Sequence, residues 1–178
     1  MGSSATPQLR AVLFDRDGTL VVDVPYNGDP GLVQPMPGAK DVLDLLRRQG
    51  LATGVLSNQS GVARGILTTE DVASVNARVD ELLGPFDVWE VCPHSEEDGC
   101  GCRKPAPGML HSACRKLGIR TSEAALIGDI GSDVRAAEAA GARGVLVPTP
   151  VTRAEEVSES RLVAQTLALA VDLLMGDA

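Results

Sequence analysis

The chain is poor in aromatic rings and in positive charge. Aromatic residues are 2% of its 178, namely Phe14, Tyr26, Phe86 and Trp89. A nucleic-acid platform built on base stacking needs more of them. Against 24 acidic residues stand 16 Lys and Arg, for a formal charge of -8. That balance lacks the basic footprint of a DNA, RNA or anionic-membrane binder, although a phosphate site needs only a few cations and a metal. No apolar run approaches the roughly 20 residues of a membrane span. Residues 1–10 carry no apolar signal core. Internal repeats, low-complexity linkers and a long exposed apolar stripe are missing too. A cytoplasmic monomer is expected, with no nucleic-acid or membrane partner.

What is present is an ordinary globular balance, 44% hydrophobic and 22% charged, enough for a single domain over residues 8–178 behind a disordered lead-in of residues 1–7. Short β-type runs alternate with helical patterns. Strands are expected at 11–14, 53–56, 87–91, 124–127 and 144–147. Helices are expected at 38–48, from Thr69 to about 83, at 108–117, 132–140 and 162–175. This is the α/β class: a doubly wound, mostly parallel, Rossmann-like sheet with helices on both faces. In such sheets ligands bind beyond the carboxyl ends of the strands. Two irregular stretches, 21–37 and 92–107, leave from those ends.

The first strand runs into Asp15-Arg16-Asp17-Gly18-Thr19. Two carboxylates two residues apart repel unless a cation or a shared proton offsets them. A hard divalent ion such as Mg²⁺ would do so. A solvated turn explains a bare Asp-x-Asp equally well, but the preceding Val-Leu-Phe makes this a buried strand end. Gly128-Asp129-Ile130-Gly131-Ser132-Asp133 repeats the design; Asp133 alone reads as a helix N-terminal charge. Between them lie Ser57-Asn58-Gln59-Ser60-Gly61, a turn able to aim donors at an anion, and Arg103-Lys104 before Pro105, two cations that alone would be surface charges.

Cys92, His94, Cys100 and Cys102 fall within one polar loop. Three thiolates and an imidazole are a tetrahedral zinc set, and four protein ligands would make a closed, structural site. In a reducing compartment such clustering favours metal over disulfide. Cys114 lies on an apolar helical stripe and reads as a packed thiol.

Taken in order, Asp-x-Asp-Gly-Thr, the Ser after the second strand, Lys-Pro before a helix and Gly-Asp-x-x-x-Asp resemble the four motifs of the haloacid dehalogenase (HAD) superfamily. The Cys-Pro-His and Cys-x-Cys-Arg-Lys-Pro-x-Pro-Gly-Met segments, with Ser-Asn-Gln-Ser-Gly-Val-Ala-Arg-Gly, narrow this to a resemblance to the D-glycero-D-manno-heptose 1,7-bisphosphate 7-phosphatases and their histidinol-phosphate phosphatase relatives. The resemblance implies a hydrolase in which Asp15 is the nucleophile, Asp17 the general acid and base, and Ser57 and Lys104 hold the phosphoryl group. Mg²⁺ would be held by Asp15, the Asp17 backbone carbonyl and Asp129, with Asp133 in support. It also assigns zinc to Cys92, His94, Cys100 and Cys102. Substrate contacts would come from Asp23, Tyr26, Asn58, Gln59 and Arg103, the last recognising a second phosphate or the sugar.

The expected elements fill the gaps between motifs, so no cap domain is expected, and the substrate is a small phosphorylated sugar. The alternatives are histidinol phosphate as substrate and a catalytically idle HAD-like binding module. The presence of Asp15, Asp17, Lys104 and Asp129 disfavours the module. The missing cap disfavours a phosphoglucomutase-type transferase.

Overall fold

The computed structural model describes residues 7–176. Its strands are β1 (Ala11–Phe14), β2 (Ala52–Asn58), β3 (Val88–Cys92), β4 (Ala124–Gly128) and β5 (Arg143–Leu146). They form one sheet in the order β3-β2-β1-β4-β5, and every pairing within it is parallel. The helices are α1 (Ala39–Arg48), α2 (Thr69–Leu83), α3 (Gly108–Leu117), α4 (Gly131–Ala140), α5 (Ala154–Glu159) and α6 (Leu167–Gly176). The chain leaves the central β1 toward β2 and β3 on one side and completes β4 and β5 on the other. The reversal of strand order therefore falls beside β1, where open α/β sheets place their ligands.

The strands are continuous apolar runs because both faces are covered. Val12, Phe14, Val55 and Ile127 pack under α1, α2 and α6 through Val42, Leu43, Leu46, Val75, Val79, Leu83, Val171 and Leu174. Leu13, Leu56 and Leu126 face the other way, onto Met109, Leu110, Ala113 and Cys114 of α3 and Ala136, Ala137 and Ala140 of α4. Each large side chain taken out of water here contributes about 1.5–3 kcal/mol. Cys114 is one of these packed thiols, pushed up to about 11 by burial and by Glu123. A capping box starts α2: Thr68 Oγ1 accepts from the Asp71 N–H at 3.0 Å, and Asp71 Oδ2 accepts from the Thr68 N–H at 2.8 Å. It fixes that helix's entry for about 1 kcal/mol.

One expectation is corrected. The last helix does not begin at Leu162. The Leu146 N–H donates to the Leu162 carbonyl and the Ala164 N–H to the Leu146 carbonyl, both at 2.9 Å, so the sheet edge takes the backbone groups a helix would need. The short α5 is an addition to the expected elements. Its buried residues reduce to Glu156, so it has no apolar stripe to betray it. Of the lead-in residues 1–7, residues 1–6 lie outside the described ones, and the Pro7 carbonyl accepts from Arg143 at 3.4 Å. No described helix is long and apolar enough to cross a membrane.

Candidate active site

The carboxyl end of the sheet carries a cluster of opposed charges. Asp15 continues β1, its N–H donating to the Ile127 carbonyl of β4 at 2.9 Å. Asp129 follows β4, and Asp133 sits in the first turn of α4. Carboxylate oxygens of the three lie within 4.8 Å of one another. Lys104 Nζ reaches Asp15 Oδ1 at 2.9 Å, Asp133 Oδ1 at 2.6 Å and the Leu56 carbonyl at 2.6 Å. All four residues are buried. Burial pulls the Lys104 pKa down, but Asp133 and Asp15 more than offset this and hold it above its ordinary value. Burial, with Asp133 and Asp129 behind it, lifts Asp15 well above the usual carboxylate range even against Lys104. Burial and Asp133 push Asp129 up to about 7.

Burial is the larger cause of both carboxylate shifts, and the neighbouring carboxylates add to it. Three ionised carboxylates and one ammonium leave two charges uncompensated, each like pair costing about 3–4 kcal/mol at this range. A divalent cation matches the deficit, and an all-oxygen donor set suits Mg²⁺. The surrounding backbone is shaped to the carboxylates. Gly18 has φ of 79°, and a Cβ there would strike the Asp129 carboxylate; a Cβ on Gly128 would strike that of Asp133.

Asp17 stands apart from this cluster. Arg16 Nε and Nη2 fork onto its two oxygens at 3.0 and 2.9 Å, and Gln59 Nε2 donates to Oδ2 at 2.8 Å. The same Gln59 amide donates to Ser57 Oγ at 2.8 Å; Ser57 is buried and, like Arg103, is not among the residues lining the cavity. The Asn58 amide pairs instead with the backbone of Lys104.

Above these groups opens a cavity of about 250 Å³ lined by Asp15, Arg16, Asp17, Asn58, Gln59, Lys104, Asp129 and Asp133, with Asp23, Val24, Tyr26, Ile130, Ser132 and Val151 on its walls. Tyr26 adopts the left-handed region at φ 51°, and its ring lies against Gly61. Among the described residues it is the one aromatic side chain lining the cavity. Arg103, expected beside the substrate, is not among the lining residues. Its guanidinium lies 3.7 Å from Glu96 and donates to the His94 carbonyl at 3.4 Å.

Sequence reasoning misses three members of this site. Arg16 is an x position of its motif, yet a cation between two carboxylates at a strand end is a visible signal. The Thr19 hydroxyl donates to Asp129 Oδ1 at 3.3 Å. The Thr152 hydroxyl donates to the Asp129 carbonyl at 2.6 Å, and nothing in the pattern around Thr152 announces it.

Beside the cavity, Cys92, His94, Cys100 and Cys102 converge. Their sulfur–sulfur separations are 3.1, 3.4 and 3.6 Å, and His94 Nδ1 lies 3.5 and 3.3 Å from Cys92 and Cys102. Zn–S bonds of about 2.3 Å imply tetrahedral edges near 3.7 Å, so the four converging donors suit zinc and would spread slightly to take it. The Cys100 thiol is held down to about 6: burial opposes this, but the Arg103 backbone N–H, the Cys102 thiol and backbone, and the Cys92 thiol together prevail. Burial and Cys102 push Cys92 up to about 12, a proton that metal binding would displace.

Comparisons with known proteins point to one family. The HAD-hydrolase-like family model matches residues 101–171. The D-glycero-β-D-manno-heptose-1,7-bisphosphate 7-phosphatase of Pseudomonas putida is 33% identical over 172 residues, covering 90% of this chain and 96% of the relative. That of Vibrio cholerae is 37% identical over 160 residues, covering 82% and 86%. Among solved structures, the D,D-heptose 1,7-bisphosphate phosphatase of B. bronchiseptica with magnesium and phosphate superposes with a TM-score of 0.82 at 26% identity, over 96% of this chain and all of that one (100%).

Proposed function

This chain belongs to the family of the heptose bisphosphate 7-phosphatases, within the HAD-type hydrolases, and from that premise we propose that it removes the C7 phosphate of D-glycero-β-D-manno-heptose 1,7-bisphosphate in a Mg²⁺-dependent reaction. The observation that carries the reading is the Asp15–Lys104–Asp133–Asp129 cluster at the base of the cavity, with Asp17 held separately at its side.

The obstacle to phosphoryl transfer here is electrostatic. A carboxylate approaching a dianionic phosphate at ~4 Å meets about 8 kcal/mol of repulsion at an effective dielectric near 20. Asp15, the Asp17 backbone carbonyl and Asp129 would hold Mg²⁺, which would supply the charge that reverses this. Lys104 and the Ser57 hydroxyl hold the phosphoryl oxygens, and positioning of this kind does most of the work in phosphoryl transfer. An Asp15 oxygen forms a bond to phosphorus as the ester P–O bond breaks. The departing sugar oxygen takes its electron pair and the proton of Asp17. Asp17, now a carboxylate, takes a proton from the water that attacks the aspartyl phosphate. The bond from phosphorus to Asp15 breaks, and inorganic phosphate leaves.

Loops gate the site in this reading. Between β1 and α1 the described chain holds a 3-10 helix, Pro30–Leu32, and isolated bridges; between β3 and α3 lies the Cys/His loop. The enzyme is thus read as capless, with zinc ordering one wall. Its compartment is proposed as the cytoplasm, where the thiolates stay reduced, and its state as a monomer.

One observation favours histidinol phosphate instead. Asp23 faces the cavity whereas Arg103 turns away to Glu96, an arrangement that suits a cationic substrate better than a second phosphate. Side-by-side kcat/KM on both substrates with Mg²⁺ decides. Heptose bisphosphate is expected to lead, and a hundredfold preference for histidinol phosphate would reverse the assignment.

A further inference from the structure

Arg16 is the largest fully buried side chain among the described residues, at 1% exposure. A guanidinium taken out of water is costly unless its partners are well placed. Here they are of two kinds. Nε and Nη2 hold the two oxygens of Asp17, and Nη1 donates to Asn76 Oδ1 at 2.6 Å. Asn76 does not line the cavity. It belongs to α2, half-buried beside Val72, Val75 and Val79, whose side chains anchor that helix in the core.

A two-point fork fixes the plane shared by guanidinium and carboxylate, and Gln59 holds one carboxylate oxygen from the β2 side at 2.8 Å. The bond at the remaining guanidinium nitrogen ties the other half of the pair to α2. The geometry points to Asn76 as a positioning residue for Asp17: it locks the Arg16 fork to the rigid frame of α2, so that the Asp17 carboxylate keeps one place while it gives up a proton and regains it. The inference rests on the acid–base role proposed above for Asp17. Misplacement by even 1 Å of a group that must meet a leaving oxygen costs about a hundredfold in rate, whereas binding of the phosphate, which depends on Lys104 and Ser57, is untouched.

Leaving-group chemistry separates this role from mere support of the fold. A sugar oxygen departs as a strongly basic alkoxide and needs the Asp17 proton; p-nitrophenolate departs without help. In Asn76→Ala, kcat for the heptose bisphosphate is expected to fall at least about tenfold at unchanged KM. The burst rate of nitrophenolate release from p-nitrophenyl phosphate should stay within about twofold of wild type. Asn76→Asp, which keeps an acceptor for Arg16, should recover most of the loss. Should the alanine variant fail to fold, Asn76→Ser carries the same expectation.

The inference is overturned if Asn76→Ala leaves kcat on the sugar phosphate intact, slows both first steps equally, or is not rescued by Asn76→Asp. Asp17→Asn run alongside identifies which claim fails. If it too shows no leaving-group dependence, the acid–base assignment of Asp17 falls; if it shows the dependence and Asn76→Ala does not, the positioning claim alone falls.

Discussion

Asn58 grips the backbone of Lys104 at both ends, accepting from its N–H at 3.1 Å and donating to its carbonyl at 3.0 Å. The two residues come from different elements, the end of β2 and the loop before α3, and this pairing sets where the ammonium emerges. Asn58→Ala should therefore act through Lys104. Steady-state kinetics are expected to show kcat/KM reduced by about tenfold or more, with about 1 kcal/mol lost in thermal unfolding for each hydrogen bond removed.

Asp15→Asn and Asp17→Asn should each remove phosphatase activity with the circular dichroism spectrum and melting temperature close to wild type. EDTA should abolish turnover and Mg²⁺ restore it. Full activity in Asp15→Asn would rule out the covalent route.

At Gly18 the left-handed backbone and the Asp129 carboxylate compete for the space of a side chain. Gly18→Ala is expected to displace Asp129 and weaken Mg²⁺ activation by about 10–100-fold, the range typical of changes behind a metal ligand. A titration of activity against Mg²⁺ concentration measures it directly.

The Cys/His cage should hold one zinc per chain in elemental analysis. Replacing Cys100 or His94 should release it, lower the melting temperature and expose residues 92–102 to protease, because a polar loop of this size has no core of its own.

Glu156 ties α5 to the start of α4, its Oε1 accepting from the Gly131 N–H at 3.1 Å. The side-chain hydrogen bond from Arg153, helped by backbone N–H groups and against some burial, holds its carboxyl below the ordinary 4.5. A depressed carboxylate contributes stability that is complete above its unfolded pKa and lost as the pH falls through the folded one. Glu156→Gln should lower the melting temperature by about 2–4 °C at neutral pH. That difference should close as the pH falls below 4.5 and on through the depressed folded value.

Much of this site is legible in the sequence because its residues keep fixed offsets from strand ends and helix starts. Asp15, Ser57 and Asp129 close or follow apolar runs, and Lys104 precedes a proline. Their elements can be read from the alternation of apolar runs and helical stripes. Side-chain direction cannot. Arg103 and Lys104 are neighbours in the chain, yet one enters the cavity and the other turns to Glu96, since successive residues of an irregular loop have no period. Arg16 and Asn76 are 60 positions apart, and only the packing of α2 on the sheet brings them together. The start of α6 escapes the sequence for a similar reason: its apolar pattern extends to Leu162, but the edge of β5 competes for the same backbone groups.

The strand order has a consequence for how the enzyme comes into being. β1 is synthesised first, and its neighbour on one side, β2, follows soon after. Its other neighbour is β4, which runs straight on into Asp129 and the first turn of α4 with Asp133. Asp15 is thus made before Lys104, which offsets its charge, and before Asp129 and Asp133, the carboxylates it is buried with. A fragment that stops short of β4 lacks Asp129 and Asp133, so the carboxylate cluster is complete only once β4 and the first turn of α4 have been made.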